Sequence, residues 1–109
     1  MTTMLFLLQR ASAGVLALAA AVHLATIVYA VRGGLTAGEI LARTEGNAAY
    51  LAFYGVFVLA VAVHVPLGLR NVLREWLGWK GRVCDGALAA FAFVLLALGV
   101  RAVAALYLA

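Results

Sequence analysis

Charge is the scarcest feature of this sequence: Lys, Arg, Asp and Glu make up 11% of its 109 residues, while 68% are hydrophobic. Water-soluble domains carry about 25% charged and about 45–50% apolar residues. A soluble fold is therefore excluded, and the apolar surface must meet lipid or partner chains. Proline occurs once and glycine 11 times, too few for a low-complexity linker, so residues 1–109 are expected to form a single transmembrane domain. Cysteine occurs once, as Cys84. A disulfide within the chain and a thiolate zinc or iron–sulfur site are thereby excluded, because each needs more than one converging sulfur. His23 and His64, the only histidines, remain as candidate metal ligands. The net charge of +4 comes from basic residues spread along the chain, not interleaved with aromatics as on a nucleic-acid-binding surface.

What is present is long apolar runs. No charged residue lies between Arg10 and Arg32 or between Glu45 and Arg70, and residues 86–109 are apolar apart from Arg101. Each run approaches the ~20 residues needed to cross a ~30 Å hydrocarbon core. The pattern predicts an all-α membrane protein with transmembrane helices near 8–31, 48–70 and 86–108. Gly33-Gly34 should end the first, and Thr36-Ala37-Gly38-Glu39 has capping-box spacing, predicting a short interfacial helix over 37–44. Arg70, Arg74, Lys80 and Arg82 crowd the connection between the second and third spans. By the positive-inside rule that connection and the N-terminus are expected on the cytoplasmic side of the inner membrane. Trp76 and Trp79 suit the inner headgroup zone, and Tyr29, Tyr50, Tyr54 and Tyr107 the outer one. A cleaved signal peptide is the alternative for the first span, with Ala17-Leu18-Ala19 as a cleavage site; the absence of charge before Arg10 and the length of the apolar run oppose it.

Intramembrane chemistry must lie among the few polar groups placed in lipid: His23, His64 and Arg101. Ala60 and Gly68 flank His64 by one turn on its own helix face, where a flat macrocycle could approach the backbone. Arg70 and Arg74 lie toward the inner end, suited to haem propionates. Two readings of His64 follow, a haem b ligand or a helix-packing histidine. At ~1.5 Å per residue His23 falls about 20 Å from Arg10, and His64 about 9 Å from Arg70, so the two rings sit at different depths and cannot share one iron. His23 is therefore either the ligand of a second, outer haem, with Arg101 near its propionates, or a packing residue. The second imidazole on any haem must then come from another anchor chain or from a copy of this one. Ala13, Ala17, Ala20 and Ala21 would permit close approach of such a chain.

The segment His64-Val65-Pro66-Leu67-Gly68-Leu69-Arg70-Asn71-Val72-Leu73-Arg74-Glu75 resembles the second-helix signature of the cytochrome b membrane anchor of succinate dehydrogenase and fumarate reductase, H-x3-G-[IL]-R-H-x3-D. Gln9-Arg10-Ala11-Ser12-Ala13-Gly14 is similar to the HR-x-S-G start of that family's first helix. Asn71, Glu75 and Gln9 stand where the family has His, Asp and His, and Ala13 is inserted. The resemblance implies that His64 is a haem b axial ligand, Arg70 a propionate or interface residue, and Arg10 with Ser12 part of a quinone site. It further implies iron–sulfur and flavoprotein partner subunits that carry the dicarboxylate chemistry, with electrons passing between the iron–sulfur subunit and membrane quinone. The rival expectation is a non-redox helical membrane protein, an assembly or transporter subunit with packing histidines. All four carboxylates are expected in the connections, whereas a transporter more often places one in a membrane helix.

Overall fold

The structure, a computed structural model, describes residues 3–109. Among them the chain is all helical: α1 (Thr3–Gly33), α2 (Ala37–Thr44), α3 (Ala48–Trp76) and α4 (Arg82–Tyr107). α1, α3 and α4 are each long and apolar enough to cross a membrane. The interfacial helix falls where the capping box places it. The three long helices run further than the charge-free stretches, because charge marks where lipid ends and not where backbone hydrogen bonding ends. The 31 residues of α1 measure about 46 Å, matching the 48 Å long axis of the molecule and exceeding a ~30 Å core. Arg70, Arg74 and Glu75 consequently belong to α3, and Arg82 and Asp85 to α4, so the basic connection shrinks to residues 77–81. Glu39 lies in α2 as expected, while two carboxylates expected in connections lie in the long helices instead, Glu75 near the end of α3 and Asp85 in the first turn of α4. Asp85 there complements the helix dipole.

α3 is the central helix, packed against α1 on one side and α4 on the other, with no comparable packing between α1 and α4. The face of α1 turned to α3 follows a 3.5-residue repeat through Leu5, Gln9, Ser12, Leu16, Ala19 and His23, all buried or half-buried. Such a repeat gives two antiparallel helices a continuous seam. Ser12 and Ala19 are its most buried members, whereas Ala13, Ala17, Ala20 and Ala21 lie off the seam and are exposed. The α3–α4 contact is closest at Gly99, where an added Cβ would stand 2.5 Å and 2.8 Å from the two methyls of Val58.

α2 closes one end of the bundle. Thr36 Oγ1 accepts from Glu39 N and donates to Glu39 Oε1, completing the capping box. Gly34 has φ +112°, and a Cβ there would collide with the Glu39 carboxylate. Arg43 Nη2 donates to Gly34 O at 2.7 Å, the Thr44 hydroxyl lies 3.2 Å from Leu106 O, and Gly46 N donates to Tyr107 O at 3.0 Å. The helix is thus tied to the ends of both α1 and α4.

Two outcomes are expected. Gly99→Ala should destabilise the protein by about 1–3 kcal/mol through overpacking, with Val58→Ala restoring much of the loss. Gly55→Ala, which meets nothing within 4 Å, should be neutral or slightly stabilising; denaturant titration in micelles measures all of these. The side-chain and then the backbone hydrogen bonds from Thr36 hold the Glu39 carboxyl below its usual range, with Arg43 assisting. A lowered folded-state value means that the cap's contribution is present above the ordinary glutamate range and is lost as pH falls through the lowered value. Amide exchange across 37–44 should therefore accelerate on acidification, and Thr36→Ala should show that faster exchange already at neutral pH.

Candidate functional site

The α1–α3 seam carries two polar clusters, each built around one histidine. In the first, near the basic end, Ser12 is 6% exposed and its Oγ donates to Gln9 O at 3.0 Å. The same Oγ lies 3.4 Å from His64 Nδ1. A serine hydroxyl has one proton and a neutral imidazole one N–H. With the hydroxyl proton on Gln9 O, the second contact is a hydrogen bond only if His64 Nδ1–H donates to Ser12 Oγ. His64 Nε2 is then left as a bare lone pair, and no partner meets it among the described residues. Beside it lies a recess of about 450 Å³ bounded by Gln9, Arg10, Ala13, Gly14 and His64. Gln9 Oε1 is buried without a hydrogen-bond partner.

The second cluster repeats the logic with one more group. Thr26 Oγ1 donates to His23 O at 2.7 Å and lies 3.0 Å from the Tyr54 hydroxyl, which is 2.8 Å from His23 Nδ1. All three contacts are hydrogen bonds in one arrangement: Tyr54 O–H donates to Thr26 Oγ1, and His23 Nδ1–H donates to Tyr54 Oη. His23 Nε2 is again the bare nitrogen. The His23 ring also meets Tyr54 and Phe57 edge-on, at 5.5 Å in each case.

Ten residues of α3 separate Tyr54 from His64, about 15 Å along the axis, so the two histidines lie at different depths, as the sequence suggested. The remaining expected site residues are scattered. Gly68 faces α1, its position for a Cβ lying 3.2 Å from Gln9 Nε2, so Gln9 occupies the space this glycine opens. Arg70 is about 120° round the helix from His64 and faces α4, where its Nε donates to Asp85 Oδ1 at 3.0 Å; its Nη1 is buried and unpartnered. Arg74 sits in the last turn of α3, where a cation complements the helix C-terminus. Neither arginine borders the His64 recess; Arg10 does. Ser12 does not border it either, and its hydroxyl donates to Gln9 O. Arg101 is exposed on α4 and does not line the cavity beside His23.

Tyr50 Oη donates to Val103 O at 3.4 Å and Tyr54 belongs to the His23 cluster, so both hydroxyls bond within the bundle. Thr26 and Tyr54 are the functional candidates that sequence reasoning missed. The signal for Thr26 is its register: Gln9, Ser12, His23 and Thr26 all fall on the 3.5-residue repeat of α1.

Removing either hydroxyl partner should cost about 1 kcal/mol. Ser12→Ala and Tyr54→Phe, about 15 Å apart, should be additive to within a few tenths of a kcal/mol, as measured by chemical unfolding of the single and double variants in micelles. No protein family, curated protein or solved structure matches the chain.

Proposed function

We propose that this chain is a haem b-binding membrane anchor of a succinate dehydrogenase- or fumarate reductase-like complex, holding partner iron–sulfur and flavoprotein subunits at the cytoplasmic face of the inner membrane. The observation that carries the reading is the lock on His64. A metal-ligating histidine commonly donates its second ring N–H to a fixed acceptor, which sets the tautomer and orients the lone pair. Ser12 is in the position of such an acceptor, and His64 borders a recess. The residues therefore fit a haem: His64 Nε2 would ligate the iron, and Arg10 would meet a propionate or a quinone carbonyl. Haem b bound there supplies one-electron chemistry between an iron–sulfur donor and membrane quinone. Arg70, tied to Asp85, is assigned to the subunit interface instead.

His23 lies too far in depth to supply the second imidazole, so another anchor chain or a copy of this one provides it. Ala13, which borders the recess, and the exposed Ala17 and Ala21 further along α1 give such a chain a close approach. A second reading is favoured by the seam itself: both histidines lie on it and each is bonded to a hydroxyl, as packing histidines would be.

The oxidised and dithionite-reduced optical spectra of the complex purified from membranes separate the two readings. A b-type haem spectrum is expected, lost in His64→Ala. In Ser12→Ala haem affinity should fall about 10–100-fold, the usual effect of removing a ligand's hydrogen-bond partner. Absence of haem from the intact complex, or a spectrum unchanged in an assembled His64→Ala variant, would establish the packing reading.

A further inference from the structure

A groove of about 1040 Å³ lies on α3, walled by α1 and α4 and closed at one end by α2. It exists because α3 separates its two neighbours, leaving a gap between α1 and α4. From Asn47 at the α2 end to Val61 its floor measures about 21 Å. Half of a bilayer spans about 20–22 Å with its headgroups, of which about 15 Å is hydrocarbon. The groove therefore has the depth of one leaflet.

Its polarity follows the same profile. Tyr29, Arg43, Thr44 and Asn47 line the α2 end, whereas Val58, Val61 and Leu95 line the far end. Between them the hydroxyls of Thr26, Tyr50 and Tyr54 are bonded within the protein. At the α2 end, by contrast, donors are unspent. Arg43 Nη2 donates to Gly34 O at 2.7 Å, and the guanidinium stands 5.7 Å over the Tyr29 ring. These contacts fix the group but leave its Nε and Nη1, and the Tyr29 hydroxyl, without a hydrogen-bond partner among the described residues. Arg43 is the one charged residue of the lining, and no carboxylate pairs with it among the described residues. A fixed cation with free N–H groups beside a phenol O–H is complementary to phosphate oxygens.

We propose that the groove holds an anionic phospholipid from the leaflet on the α2 side, its phosphate accepting from Arg43 and the Tyr29 hydroxyl and one acyl chain lying along α3 between α1 and α4 as far as Val61. The unpaired charge of Arg43 selects a headgroup of net negative charge. The ammonium of a zwitterionic lipid would stand near that cation with no carboxylate in the lining to offset it. The bound chain fills the gap that the helices leave, so the lipid is part of the bundle on this side. The inference goes beyond the proposed function and does not depend on haem at His64.

The test is native mass spectrometry of the full chain in micelles, titrated with dioleoyl phosphatidylglycerol or, as the zwitterionic control, dioleoyl phosphatidylcholine. One tightly held lipid is expected, with about fivefold preference for phosphatidylglycerol, the usual weight of one basic residue against anionic lipid. Arg43→Gln should abolish the preference and Arg43→Lys should keep it, which separates lost charge from a disturbed α2. Tyr29→Phe should weaken both lipids, since both carry phosphate. Ala102→Phe, which narrows the groove from α4, should weaken both as well. Equal affinity for the two lipids, or binding of both unchanged in Ala102→Phe, overturns the inference. So does a preference that survives Arg43→Gln and falls in Arg74→Gln, which would move the lipid to the basic end. Dimers that Ala102→Phe dissociates would give the groove to a second copy of the chain and overturn it too.

Discussion

A hydroxyl has one proton to give, and in this bundle that limit decides what both histidines can do. Ser12 and Thr26 each donate to the backbone carbonyl three residues earlier, on Gln9 and His23. Back-bonding of this kind is common where a helix runs through an environment without water. Once the proton is committed, the oxygen can only accept, and each imidazole must turn its Nδ1–H inward along the seam, directly or through Tyr54. In a neutral ring with this tautomer the second nitrogen, Nε2, carries a lone pair. Membrane burial strengthens the argument, because an unmade hydrogen bond in lipid cannot be replaced by one to water.

The arrangement of helices places the two clusters beside two different cavities. The central position of α3 lets both clusters sit on one seam, while α4 packs only on the far side of α3. Near the basic end His64 borders a small recess with Arg10, on the side where α1 leaves Ala13 and Gly14 exposed. Toward the α2 end His23 borders a groove that α4 walls off within the same chain. A ligand shared with another chain suits the first; a ligand held inside one chain suits the second.

Much of the fold was legible in the sequence because it follows from gross physical constraints. Long charge-free runs gave the spans, and Thr36 with Glu39 gave α2 to the residue. The helix ends were less legible, since Arg70, Glu75 and Asp85 can continue a helix beyond the hydrocarbon as readily as leave it. Of the candidate site, the depth difference between His23 and His64 followed from helical rise alone. The partners did not: whether Gly68 opens toward a ligand or toward Gln9, and whether Tyr54 points to the headgroups or to His23, depends on how two helices rotate against each other. Periodicity on one helix cannot specify that rotation. The 3.5-residue repeat of polar positions on α1 narrows it, and it is visible in the sequence once Gln9, Ser12, His23 and Thr26 are considered together.

The account stands on the protonation of two ring nitrogens, which nitrogen-15 NMR of histidine-labelled protein in lipid bilayers observes directly, without any ligand. His23 and His64 should each show a protonated Nδ1 and a bare Nε2, with the His64 pattern released in Ser12→Ala and the His23 pattern in Tyr54→Phe. A protonated Nε2 on either ring in the unsubstituted protein would contradict the hydrogen-bond assignment of that histidine.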